Sequence, residues 1–215
     1  DNVDIVVINE GSFTALDLAG YFKAGGDLHS INGIGFKNKD NNIHITNSRD
    51  LEDIRQIPHF DFSMVNVENY LSHGADSVYR REFPLYKEKI RIMPILTGLG
   101  CAYKCEFCIN VILKRRYRWL SADLIVKEIK RLQEGYGANT FLFLDEDFFI
   151  NKKRTLEFIS LVEKEGLHFN WRAWCRVDHF KDDFINIELL KRLSDIGYGS
   201  MVMGAESANP EMLDY

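Results

Sequence analysis

The sequence predicts an α/β fold built on a parallel sheet with right-handed crossovers, and three observations carry that expectation. Short apolar runs recur at 90–96, 140–144, 168–177 and 200–205, each with the length and composition of a strand buried in a sheet. A helical pattern follows each run, and helices of roughly 12 to 14 residues can return the chain to the start of a neighbouring parallel strand. Four such strand–helix units are visible from residue 90 onward, preceded by a strand, a helix and a hairpin within the first 47 residues.

Composition bounds the function. The 215 residues carry 46% hydrophobic and 27% charged side chains with only 4 prolines, the balance of an ordinary globular chain. A net charge of −5 argues against non-specific binding to nucleic acid. No stretch approaches the roughly 18 uninterrupted apolar residues that span a bilayer, and the acidic start lacks a signal-peptide layout. The chain therefore reads as soluble and cytoplasmic, with no membrane partner. It begins without methionine and stops where a helix is starting, at 212–215, so we expect a fragment of a longer protein.

The elements follow in order. Residues 3–8, VDIVVI, form a β-branched run of the buried-strand type. Phe13, Leu16 and the apolar positions among 18–21 then recur at helical spacing, and two strands, 31–36 and 43–46, flank a polar turn and read as a hairpin. A unit of about 47 residues is below comfortable domain size. Between 48 and 88, Leu51, Ile54, Ile57, Phe60 and Phe62 interleave with charges, and Pro58 forbids a continuous helix. This stretch reads as a linker whose apolar residues pack on the next domain.

The run 90–96 is broken at Met93-Pro94 and enters a glycine-bearing loop. Beyond it, Lys114, Arg115, Arg116 and Arg118 form a basic run, suited to a solvated face or to a phosphate or carboxylate. Ser121 is placed to cap a helix, Asp123 to meet its dipole, and Leu120 and Ile125 to staple its start. Ile125, Ile129 and Leu132 continue its apolar face to an end near Gly135. The run 140–144 then delivers Asp145, Glu146 and Asp147. Asn151 caps the helix 152–165, which Gly166 stops. In the third strand, alternation places Arg172, Trp174 and Arg176 on one face and Trp171, Ala173 and Cys175 on the other. Leu189, Leu190 and Leu193 line the next helix, Gly197 takes its left-handed cap, and the run 200–205 presents Glu206 and Ser207.

The chemistry centres on 96–109, LTGLGCAYKCEFCI, which holds three of the 4 cysteines. Cys101, Cys105 and Cys108 are separated by three residues and then two. Gly98 and Gly100 give the loop the backbone freedom to wrap three thiolates round one face of a metal cluster. A structural zinc site takes four ligands, and a ferredoxin-type cluster takes four cysteines. No histidine lies between His73 and His168, and Cys175 sits in a strand-like run where a small core residue belongs. Two readings stay open: a three-cysteine iron–sulfur cluster with one iron free, or a zinc-stabilised binding or scaffold protein completed by Cys175 or a histidine.

The CxxxCxxC spacing, Phe107 before the last cysteine and the strand–helix alternation behind it resemble the radical S-adenosylmethionine enzymes. The resemblance implies a partial (β/α) barrel, of which about four of six units lie here, in residues 89–215. It implies that Cys101, Cys105 and Cys108 hold a four-iron, four-sulfur cluster whose open iron binds the amino and carboxylate groups of S-adenosylmethionine, and that Phe107 borders the cofactor. Reductive cleavage would then release a 5'-deoxyadenosyl radical, with a flavodoxin- or ferredoxin-like electron donor. The acidic strand end resembles the Asp-Asp-x-Phe form of one subfamily, with Phe148 or Phe149 as the aromatic. By that resemblance Asp145 or Asp147 contacts the methionine amino group. Arg176 meets the cofactor carboxylate or the substrate, or forms a structural ion pair. Gly-x-Glu-Ser makes Glu206 a ribose contact. Residues 1–47 are similar to the end of the Rossmann-like cobalamin-binding domain of that subfamily, although Asn9-Glu10-Gly11-Ser12 stands where the family has Gly-Glu-Gly-Glu. The family's cobalamin-ligating histidine motif lies upstream of this stretch, which leaves His29 and His44 as surface or hairpin residues. Cobalamin is thus possible in the full-length protein, and the implied reactions are methylation, ring contraction or oxidative cyclisation of a small molecule.

Overall fold

The computed structural model describes residues 3–38, 40–73 and 89–213. In chain order the strands are β1 (Ile5–Val7), β2 (Ile34–Lys37), β3 (Ile43–Ile45), β4 (Ile92–Ile95), β5 (Gly98–Leu99), β6 (Arg118–Trp119), β7 (Thr140–Phe143), β8 (Asn170–Trp174) and β9 (Tyr198–Val202). The α-helices are α1 (Ser12–Ala24), α2 (Val67–His73), α3 (Ile109–Leu113), α4 (Ala122–Tyr136), α5 (Lys152–Glu165), α6 (Ile187–Asp195) and α7 (Pro210–Leu213). Two units emerge, Asp1–His59 with Cys105–Arg116, and Phe60–Lys104 with Tyr117–Tyr215. Of the expected linker 48–88, residues 74–88 lie outside the described residues.

In the first unit β1, β2 and β3 form an antiparallel sheet in that order. The hairpin has the expected place: Phe36 pairs with His44, and the Asn38 side chain accepts the amides of Asp40 and Asn42 across the turn. Ile34 and Phe36 are buried beneath Leu18 and Tyr21 of α1, with Ile5 beside them. The expectation of a buried first strand is corrected. Val6 is 54% exposed and Val7 also reaches solvent. An antiparallel strand at the edge of a sheet with one covered face alternates, and a β-branched run does not by itself bury both faces.

The second unit is organised by a parallel sheet in the order β4-β7-β8-β9. Strands added always on the same edge, by right-handed crossovers, put α4, α5 and α6 on one side of the sheet. That winding curls toward a barrel, whereas a doubly wound sheet would reverse its strand order. Met93 and Ile95, Phe141 and Phe143, and Trp171 and Ala173 point toward the helices and are buried. They meet Ile125, Ile129 and Leu132 of α4, Phe158, Ile159 and Val162 of α5, and Leu189 and Leu193 of α6 in one core. Phe143, Phe158 and Trp171 pack edge-on and tilted, with centroids 5.0–5.8 Å apart. The alternation expected for β8 holds, since Trp171, Ala173 and Cys175 are buried while Trp174 is 44% exposed.

Several local expectations shift. Pro94 does not break β4, because β4 is an edge strand and an edge tolerates a residue without an amide proton. The stretch after β4 is not wholly loop, for Gly98 and Leu99 pair antiparallel with Trp119 and Arg118. Ser121 stands at the start of α4 without a side-chain cap. Gly135 lies inside α4, and Gly137, at φ 60°, forms the left-handed cap instead. Strand β9 ends at Val202, three residues short of the expected 205. Asn151 and Gly166 bound α5 as expected, with the Asn151 side chain accepting the Arg154 amide. Among the described residues no helix is long and apolar enough to cross a membrane.

Candidate functional site

The carboxyl ends of the parallel strands lie along one rim of the second unit, and the chemistry-bearing residues collect there. Asp145 leaves β7 fully buried. Its two carboxylate oxygens accept the Thr97 amide and the Thr97 hydroxyl, both at 2.7 Å, which ties the end of β4 to the end of β7. Arg154 rises from α5 beneath them, its guanidinium 3.3 Å from Asp145 and donating to the carbonyls of Thr97 and Phe148. Both side chains are only 2% exposed. Desolvation pushes the Asp145 carboxyl above its usual range, opposed by Arg154 and the Thr97 hydrogen bonds. Removing one partner of such a buried pair typically costs about 3–5 kcal/mol. Gly98 is glycine for the same reason, since a Cβ there would stand 2.8 Å from an Asp145 oxygen and 3.3 Å from the Tyr117 ring.

Asp147 is also buried, accepting the Phe149 amide and a 2.7 Å hydrogen bond from His179 Nε2. Glu146, between them, is exposed. Arg176 leaves β8, grips Asp178 through two nitrogens at 3.0 and 2.9 Å, and lies 4.0 Å over the ring of Tyr103. The Arg176 hydrogen bonds hold the Asp178 carboxyl below its usual range. Tyr103, which stands between Cys101 and Cys105 in sequence, is thereby held against the end of β8. Glu206 is exposed beyond β9 with φ 57°. A non-glycine residue in that left-handed region costs on the order of 1–3 kcal/mol and tends to mark a functional turn.

The cysteines divide between the units. Cys101 stands half-buried in the larger one, just beyond β5. Cys105 and Cys108, also half-buried, belong to the smaller unit, where the Cys108 amide donates to the Cys105 carbonyl at 2.9 Å and Cys108 stands just before α3 without a side-chain cap. Phe107, beside them in sequence, is 74% exposed. All three thiols are unoxidised, as is Cys175. Burial pushes the Cys175 thiol up to about 12, and its side chain belongs to the hydrophobic core. Among the described residues no three His, Cys, Asp or Glu side chains are gathered closely enough to hold a metal ion.

Residues present nevertheless fit an iron–sulfur group. Three accessible thiols supply its preferred ligand chemistry, and the Tyr117 hydroxyl close by is buried without a hydrogen-bond partner. An orphaned buried hydroxyl costs about 1–3 kcal/mol and leaves a donor free for an acceptor outside the polypeptide. Sequence reasoning missed Thr97, Tyr103, Tyr117, Arg154 and His179. Arg154 alone carried a readable signal, because it occupies the buried stripe that Thr155, Phe158, Ile159 and Val162 define on α5.

Comparison with known proteins places this arrangement. Residues 95–215 match the model of the radical SAM superfamily. The chain is 26% identical over 215 residues to the uncharacterized methyltransferase PH0819 of Pyrococcus horikoshii, covering 99% of this chain and 42% of the relative. It is 26% identical to the anaerobic magnesium-protoporphyrin IX monomethyl ester cyclase of Cereibacter sphaeroides, covering 99% of this chain and 33% of that one. The chain thus spans less than half the length of either relative. Its fold is that of the radical S-adenosylmethionine methyltransferase TsrM from Kitasatospora setae, solved with cobalamin and a [4Fe-4S] cluster bound. The TM-score is 0.64 at 18% identity, over 98% of this chain and 39% of that one. With the family pattern running over more than half of its residues, this chain belongs to the radical SAM superfamily.

Proposed function

We propose that this chain is the cluster-binding portion of an enzyme that reductively cleaves S-adenosylmethionine and uses the resulting radical chemistry on a small molecule. The observation that carries the reading is the CxxxCxxC segment entering from the carboxyl end of an edge strand in a singly wound parallel sheet. Cys101, Cys105 and Cys108 are the residues to hold a [4Fe-4S] cluster, and the segment 101–108 closes round it on binding, as metal affinity ordinarily couples to folding. When bound, the cluster supplies the electron that cleaves the sulfonium and yields a 5'-deoxyadenosyl radical.

The chain's own residues position that chemistry. Tyr103, pinned by Arg176, orients the middle of the cysteine loop. Asp145 and Asp147 are assigned to shaping the rim where the methionine group binds, their oxygens engaged by Thr97, Arg154, Phe149 and His179. Glu206, held out by its turn, is assigned to the ribose hydroxyls, where a carboxylate accepts two hydrogen bonds. Phe107 borders the cofactor once the segment closes. The sheet face opposite α4, α5 and α6, with Arg172 and Trp174 on it, is assigned to the substrate.

The names of the relatives, one a methyltransferase and one a cyclase, favour methyl transfer or oxidative cyclisation with cobalamin in the whole protein. Residues 1–47 are assigned to the end of a cobalamin-binding domain and 48–88 to a linker, with a flavodoxin- or ferredoxin-like reductant and a cytoplasmic location. His29 is hydrogen-bonded to Asp27 and lies edge-on to His44, and neither histidine is assigned to cobalamin.

Anaerobic reconstitution with iron and sulfide, followed by electron paramagnetic resonance of the reduced protein, tests the reading. The expected outcome is about four irons per chain and a reduced-cluster signal that shifts when S-adenosylmethionine is added. Each of Cys101→Ala, Cys105→Ala and Cys108→Ala should lose that signal, while Cys175→Ala keeps it. A wild-type chain that takes up stoichiometric zinc and no cluster would overturn the proposal.

A further inference from the structure

Tyr117 sits where the chain returns from the cysteine segment. Gly98 pairs antiparallel with Trp119 and Leu99 with Arg118, so Tyr117 enters the ladder at the end where Gly100 and then Cys101 leave it. Its ring is fixed on several sides. It stacks on Trp119 with centroids 5.0 Å apart, packs against the open face of Gly98, and lies 6.0 Å from the Arg154 guanidinium.

The hydroxyl at the end of this fixed ring is buried and has no hydrogen-bond partner among the described residues. Arg154 does not satisfy it, for its two terminal nitrogens are committed to Thr97, Phe148 and Asp145. Cys101 belongs to the same unit and stands two residues beyond Leu99 of the paired strand. A rigid donor without an acceptor, beside a cysteine assigned as a cluster ligand, has one natural use.

We propose that the Tyr117 hydroxyl donates a hydrogen bond to the Cys101 sulfur when that sulfur ligates the cluster, and that this bond tunes the cluster's reduction potential. The inference rests on the cluster reading above. A thiolate ligand carries more negative charge in the reduced cluster than in the oxidised one, so a hydrogen bond to it favours reduction. Tyr117 is in this sense a positioning and tuning residue, not a ligand.

The test is a redox titration of the reconstituted chain, followed by electron paramagnetic resonance, on wild type and Tyr117→Phe. The expected result is unchanged iron content and melting temperature, with the midpoint potential of Tyr117→Phe shifted to a more negative value. Site-specific replacement of Tyr117 by 3-fluorotyrosine keeps the ring and strengthens the donor, and should shift the potential in the opposite direction. The fluorinated protein decides the matter even where Tyr117→Phe fails to fold. A wild-type cluster with the same potential in the variants overturns this inference alone. A wild-type chain that binds zinc and no cluster overturns this inference and the cluster reading together.

Discussion

At the scale of single residues, Asp145 and Arg154 join three segments that meet nowhere else in the sequence: the end of β4 through Thr97, the end of β7 and the first turn of α5. Replacing Arg154 by Met strands a buried carboxylate, and we expect a loss of about 3–5 kcal/mol in urea denaturation. Adding Asp145→Leu to that variant should recover a good part of the loss, because two apolar groups leave no charge unpaired. If the double variant is no more stable than the single one, the pair is not the unit described here. Gly98→Ala should cost about 1–3 kcal/mol, since the carboxylate it would strike is held in place from both sides. Cys175 gives a chemical check. With its thiol 3% exposed and pushed up to about 12, its thiolate appears only near that pH. Alkylation of the native apoprotein at pH 8 should therefore label Cys101, Cys105 and Cys108 and spare Cys175 until the chain unfolds, which peptide mapping by mass spectrometry can read.

At the scale of elements, the helix ends separate two uses of glycine. Gly166 caps α5 at φ 60° with open space where a Cβ would go. Gly197 precedes β9 at φ 83°, and a Cβ there would collide with the Phe169 carbonyl. Gly166→Ala should then cost only the conformational penalty of about 1–2 kcal/mol. Gly197→Ala should cost distinctly more, because the backbone of the segment entering β8 must move as well. Thermal melts of the two variants give the order, and equal losses would show that the Phe169 contact is unimportant. The ends of α4 and α5 were legible from sequence to within a residue or two, since caps and apolar stripes are local, whereas the short α2 and α3 were not read as helices. The burial of β1 was not, because a β-branched run says nothing about whether a partner covers its second face.

For the whole molecule, the strand order carries the functional consequence. The order β4-β7-β8-β9 gathers Thr97, Asp145, Asp147, Arg176 and Glu206 along one rim, although 109 positions separate the first from the last. The alternation of strands and helices foretold a parallel sheet, and four successive units foretold its extent. The cysteine spacing marked Cys101, Cys105 and Cys108 as the candidate ligand set from residue count alone. Pairings such as Thr97 with Asp145, 48 residues apart, and Thr97 with Arg154, 57 apart, carry no mark in the local sequence. They exist only once the crossovers have stacked β4 on β7 and set α5 behind them. The sequence by itself thus determined which segments are strands and helices and which thiols are available, through local periodicity and spacing. The tertiary structure alone decided which carboxylates became buried struts, which arginine met them and which hydroxyl was left buried without a partner, because long-range packing sets the dielectric and the partners of each polar group.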